Sequence, residues 1–168
     1  MTRLERPEPV PPGPGQESAW DYPRPPRLEE VRVQCEVVFG GHTIAVTLTP
    51  IRVLETSHPP AYYFPPGSVL EGALRPAEGS TWCEFKGETR YFDVVRPDAE
   101  APRAAWSYPH PLAGYEALAG YVAFYPRAME ACLVGGELVR PQPGGFYGGW
   151  VTSTVVGPFK GEPGTEGW

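Results

Sequence analysis

Residues 31–48 read VRVQCEVVFGGHTIAVTL, and this stretch decides the fold class. Val31, Val33, Cys35, Val37 and Phe39 alternate with Arg32, Gln34 and Glu36. A period of two puts the apolar set on one face of an extended chain, as in a half-buried strand. Gly40-Gly41 then turns the chain into His42–Leu48, a natural hairpin partner. Outward from this hairpin, strands are expected at Ile51–Glu55, Thr81–Lys86, Glu88–Val95, Ala104–Tyr108, Gly120–Tyr125 and Glu130–Val139, the last folded at Gly135-Gly136. Helical signals are few. Ser68–Leu74 reads as one turn with Ser68 as N-cap and Glu71 at the capping-box position. Pro111–Ala119 reads as the only helix of two turns, kept short by Gly114 and Gly120. The pattern predicts an all-β protein with minor α content. It is a single barrel-like or folded-sheet domain of about eight or nine short strands and one short helix.

Composition bounds the class. The chain has 168 residues, with 20 Gly and 23 Pro, a proportion that without a period points to disorder. Against this stand 5 Trp, 9 Tyr and 7 Phe with only 20% charged residues, and disordered chains are poor in aromatics. Residues 1–18, rich in Pro, Glu and Arg, read as a disordered tail. Residues 19–168 read as one β domain ending in a Pro/Gly/aromatic strap over 140–168, expected to be anchored by Phe146, Tyr147, Trp150, Phe159 and Trp168. The net charge of −6 and the absence of a Lys/Arg cluster argue against long nucleic acid as a partner. A pocket holding one Lys and one Arg would still accept a small anion. No apolar run approaches the ~20 residues of a membrane span, and no secretory signal is visible, so the expected setting is the cytoplasm. Cys35, Cys83 and Cys132 are odd in number and form no CxxC pair. They read as reduced thiols rather than disulfides or zinc ligands, and neither metal nor cofactor is expected.

The candidate site centres on residues 51–66, IRVLETSHPPAYYFPP. Alternation places Ile51, Val53 and Glu55 on one face and Arg52 and Leu54 on the other. A carboxylate on an apolar face needs a cationic or hydroxyl partner, and Arg52, His58, Tyr63 and Lys86 qualify. His58 precedes Pro59 and is therefore held extended. Lys86 is placed beside Gly87 at a hairpin tip among Cys83, Phe85 and Tyr91. Tyr63, Tyr91, Trp106, Tyr108 and Phe124 serve either as core or as a wall for a flat ligand.

Six segments together resemble a bacterial family, domain of unknown function 427, also labelled a nucleotidyltransferase-like domain. They are ESAWDYPRPPRLE (17–29), RVLETSHPPAYYFPP (52–66), CEFKGETRYFDV (83–94), AAWSYPHP (104–111), AGYVAFYP (119–126) and PQPGGFYGGW through GPFKGEPGT. Phe85 stands where the family pattern has Trp, and Thr89 where a small residue is usual. The resemblance implies a β-tent topology similar to zinc-bearing methionine sulfoxide reductase B and cereblon-type domains, here without their paired CxxC ligands. Residue chemistry then predicts a domain binding an unknown small molecule through Arg52, Glu55, Tyr63, Lys86, Tyr91 and Trp106, as monomer or homodimer. One alternative is an enzyme for a small polar or nucleotide-like substrate, with Glu55 or His58 as base and Lys86 as anion-stabilising group. The other is a protein-interaction module, which requires a large exposed apolar patch and no well-formed pocket.

Overall fold

The computed structural model describes residues 6–168. In chain order its strands are β1 (Glu17–Ser18), β2 (Arg27–Glu30), β3 (Cys35–Phe39), β4 (His42–Thr47), β5 (Ile51–Leu54), β6 (Ala61–Tyr63), β7 (Leu74–Cys83), β8 (Gly87–Arg96), β9 (Ala99–Ser107), β10 (Val122–Phe124), β11 (Ala131–Val134), β12 (Glu137–Leu138), β13 (Arg140–Pro141), β14 (Trp150–Val151) and β15 (Val155–Val156). Eight of these have four residues or more, and helical structure is confined to single 3₁₀ turns. The protein is therefore all-β, built from several small sheets rather than one closed barrel.

The hairpin read from residues 31–48 is present as β3–β4, with Cys35, Val37 and Phe39 buried. Its strand begins later than alternation implies, at Cys35; Val31 and Val33 still pack against the core. β11 adds to β3 and β12 to β11, giving the order β12-β11-β3-β4. Cys35 and Cys132 lie inside this sheet, and burial pushes both thiols up to about 12, so they are inert at neutral pH.

Two other sheets frame the site: β10-β9-β8-β7, and β2-β5-β6. They meet where Phe64 exchanges backbone hydrogen bonds with Val122. The large core lies on one side of this seam and contains Val37, Ile44, Phe64, Phe124 and Trp150. A second, aromatic cluster of Ile51, Val53, Tyr63, Trp106, Tyr108 and Leu118 lies beneath the cleft described below.

Both helical expectations fail, for the same physical reason. Ser68–Leu74 spends its backbone groups on β4: Val46 donates to Ser68 O, and Leu70 donates to Ile44 O. Pairing with an existing strand edge outcompetes an isolated helical turn, whose nucleation is unfavourable. Pro111–Ala119 keeps one 3₁₀ turn, Glu116–Leu118, because the Lys86 carbonyl takes the Leu112 N–H. The strand expected at Ala104–Tyr108 is longer than the sequence pattern shows, since β9 begins at Ala99 and pairs along β8.

Glu17 and Ser18, at the end of the compositional tail, form β1 and pair in parallel with Val155 and Val156. Val10 also donates to Gly157 O, and Trp20 Nε1 donates to Pro158 O. The last strap thus runs beside the first described residues. Trp150 anchors it, fully buried, but Phe146 does not: it is 76% exposed. Residues 1–5 of the expected tail lie outside the described residues.

Candidate functional site

β5 sorts its side chains as alternation dictates. Ile51 and Val53 enter the aromatic cluster, and Arg52 points to the opposite side. There Arg52 Nη1 donates to Glu17 Oε1 at 2.6 Å, and Nη2 donates to Glu29 Oε1 at 2.7 Å. Burial by itself would raise the Glu17 carboxyl; hydrogen bonds from Arg52 and Tyr22 outweigh it and hold the group below the usual carboxylate range. Arg52 is therefore a tie between β5, β2 and β1, and does not line the cleft.

Past Leu54 the chain leaves the sheet in a turn closed by His58 N donating to Glu55 O. Ser57 sits at φ +73°, a left-handed conformation that a non-glycine residue adopts only when its surroundings impose it. Two tethers do so. Ser57 N donates to Ala19 O, and Lys160 N donates to Ser57 O. Pro59 and Pro60 stiffen the exit, and Trp150 N donates to Pro60 O. Glu55 and His58 thereby face the same space.

That space is a cleft of about 710 Å³, within the range of small-molecule sites. Glu55, Tyr63, Lys86, Tyr91 and Trp106 line it, five of the six residues expected to contact a ligand, and His58 lines it with them; Arg52 alone of the six lies elsewhere. Trp106 Nε1 donates to Tyr63 Oη at 3.1 Å, and its ring packs at 4.6 Å from that of Tyr125. Burial pushes the Tyr63 phenol well above its usual range, so it stays neutral. Lys86 is not the exposed tip residue its Gly87 neighbour suggests. It is 8% exposed, with Nζ 5.5 Å from the centre of the Tyr108 ring. Among the described residues, no carboxylate lies within 4 Å of Nζ.

Charge around the cleft is lopsided. Lys86, Arg103, Arg127 and Lys160 line it against a single carboxylate, Glu55. Arg103 lies over the Tyr91 ring at 4.3 Å, and Lys160 over Tyr147 at 5.7 Å. Trp82 and Phe146 flank the same cleft, 67% and 76% exposed.

His58 is the most constrained polar group here. Gln142, buried where the strap meets the turn, has its amide orientation fixed twice. Gly149 N donates to its Oε1, and its Nε2 donates to Lys160 O. The Nε2 group therefore also faces His58 Nδ1, at 3.0 Å, as a donor. Nδ1 must accept, which leaves the imidazole proton on Nε2. That nitrogen faces Glu55 Oε2 at 3.6 Å, too far for a hydrogen bond. Burial pushes His58 down to about 4; Glu55 opposes this only in part, and Lys160, Arg24 and Lys86 add to the depression. The ring is neutral at pH 7.

Gln142, Tyr147, Lys160 and the two exposed aromatics were absent from the sequence-based site. The signals for Gln142, Phe146, Tyr147 and Lys160 were PQPGGFYGGW and GPFKGEPGT, legible as a strap but not as a wall, and Trp82 stood in Thr81–Lys86, legible only as a strand. Among the described residues, no group of three or more His, Cys, Asp or Glu side chains is placed to hold a metal ion. No helix of the described residues is long and apolar enough to cross a membrane.

The fold and cleft define a class: an all-β domain whose small sheets support one aromatic-walled, cation-rich cleft. The chain belongs to the family described as a domain of unknown function (DUF427), whose pattern matches residues 27–135. No curated protein matches it.

Proposed function

We propose that the cleft binds a small, planar, anionic molecule. The observation that carries this reading is the surplus of cationic side chains around one carboxylate, within a protein whose net charge is −6. A cleft with low-dielectric walls focuses such a field and draws anions in. Lys86, buried without a carboxylate partner, supplies a charge for the ligand's anionic group. Tyr91, Trp106 and Tyr125 supply the flat wall. A defined cavity also supports this reading over that of an interaction surface. Three cysteines, none in a disulfide, fit a reducing compartment and hence the cytoplasm.

Native mass spectrometry of protein purified from its own host tests the proposal. An organic anion is expected to be retained by the wild type. Its occupancy should fall at least about tenfold in Lys86→Met, the loss of about 1.4 kcal/mol of binding. A wild type that binds neither retained nor added aromatic carboxylates would overturn it.

A further inference from the structure

Glu55 and His58 offer the cleft two different functions. Glu55 is a carboxylate lining the cleft, its Oε2 accepting a 3.4 Å hydrogen bond from Arg24 Nη2; His58 lines the same cleft as a neutral ring whose Nε2–H is not hydrogen-bonded to Glu55. Their facing atoms are 3.6 Å apart. In a ketone or 2-oxo acid, the carbonyl oxygen and the adjacent carbon lie about 2.4 Å apart, from standard bond lengths. A donor and an acceptor at this spacing can therefore reach both atoms at once, each within the roughly 3 Å that proton transfer needs.

We propose that the cleft is a proton-transfer site for planar aromatic 2-oxo acids. Glu55 takes a proton from the carbon next to the carbonyl, and His58 donates from Nε2 to the carbonyl oxygen. The C–H bond breaks and its electron pair forms the C=C bond of the enolate. The C=O π pair moves to oxygen, where the His58 hydrogen bond stabilises it. The proton rests on Glu55 and returns to carbon or exchanges with water. No oxidant, reductant or metal enters the balance. Lys86 holds the carboxylate, and the aromatic wall holds the ring. A neutral imidazole suits the donor role because it releases no full proton to a weakly basic enolate oxygen. Gln142 is a positioning residue: by donating to Nδ1 it keeps the proton on Nε2. The groups facing His58 are Glu55, Lys160, Arg24 and Lys86, with the Tyr147 ring edge-on at 4.8 Å.

This step rests on the anion-binding reading, and phenylpyruvate in D₂O separates the two. Saturation-transfer NMR reports binding, and loss of the methylene proton signal reports exchange. Wild type is expected to bind the probe and to accelerate exchange about 100-fold or more over buffer, the usual scale of acid–base catalysis. Glu55→Gln should bind and lose the acceleration. His58→Gln should lower the rate at least about tenfold with little change in KM. In Gln142→Leu, the ¹⁵N spectrum of labelled His58 should change from the Nε2–H form to a mixture of tautomers, with a slower rate and binding kept.

Binding with exchange at the buffer rate would overturn proton transfer but not anion binding. Absence of binding would overturn the anion reading beneath it. A Gln142→Leu ring that stays wholly Nε2–H would remove Gln142 from the proposal. If Glu55→Gln does not fold, Glu55→Asp withdraws the oxygen by one methylene while keeping the charge. An undiminished rate in that variant sinks the role of Glu55.

Discussion

Arg52 and Glu55, three residues apart, belong to different parts of the molecule. Strand alternation already separated them, yet charge chemistry grouped them as partners, and alternation was the better guide. Arg52 is 11% exposed at its side chain and serves two carboxylates. Replacing it by Met leaves Glu17 with only its Tyr22 hydrogen bond and Glu29 with only the exposed Arg27. Urea denaturation should show a loss of about 1–3 kcal/mol, below the 3–5 of a fully buried pair because the carboxylates reach water. Ligand binding should be unchanged. Glu55 and His58 were legible because charged and imidazole groups stood out in an apolar, proline-stiffened run, and Lys86 because it stood among Cys83, Phe85 and Tyr91. Gln142 was not. It is uncharged, and its importance comes from meeting a residue 84 positions away.

His58 also makes stability depend on pH. Its folded value, about 4, lies below the usual 6.5, so the unfolded chain binds the proton more readily. Its stabilising contribution is full above pH 6.5 and is lost as pH falls towards 4. The size is up to about 3 kcal/mol, at about 1.4 kcal/mol per unit. Thermal unfolding followed between pH 7 and 5 should show the wild type losing more stability than His58→Gln. Equal slopes for the two proteins would contradict this assignment.

At the scale of elements, the strand ladder was legible from period-two runs and glycine turns, while the pieces that pair by tertiary contact were not. Ser68–Leu74 carries a helix signature, but an open β4 edge beside it takes its hydrogen bonds. The strap 140–168 lacks a period, because its structure comes from docking rather than from alternation. Its glycines show how close that docking is. A Cβ on Gly148 would collide with the Trp106 ring and come within 3.1 Å of Tyr125. Neither ring can yield without moving the cleft wall. Gly148→Ala should therefore weaken aromatic-anion binding at least about tenfold, equivalent to 1.4 kcal/mol, as read by calorimetry. An unchanged affinity would mean that the strap, and not Trp106, gives way.

At the scale of the molecule, the cleft's sign opposes that of the protein. Cation surplus lines the cavity while the chain carries −6 overall. Salt weakens exposed electrostatics, with a Debye length of about 10 Å at 0.1 M falling to about 3 Å at 1 M. Affinity for an aromatic carboxylate should fall steadily between 0.05 and 0.5 M NaCl, roughly in that range of screening. A neutral analogue of the same shape should show almost no dependence. Net charge and the absence of a Lys/Arg cluster in the sequence argued against long nucleic acid as a partner, but they could not show where on the surface the minority cations gather, since that is set by the fold.

The pairing of β1 with β15 carries a consequence for the order in which the molecule is made. Ser18 leaves the ribosome long before Val156, and must wait for it. By then the stretch 27–135 has emerged with Glu55, His58, Lys86 and Trp106 already in hand. What it lacks is Gln142 and Lys160, so the proton on His58 has no fixed address. Only the strap that follows assigns it. A nascent chain thus carries Glu55, His58, Lys86 and Trp106 before the tautomer of His58 is set.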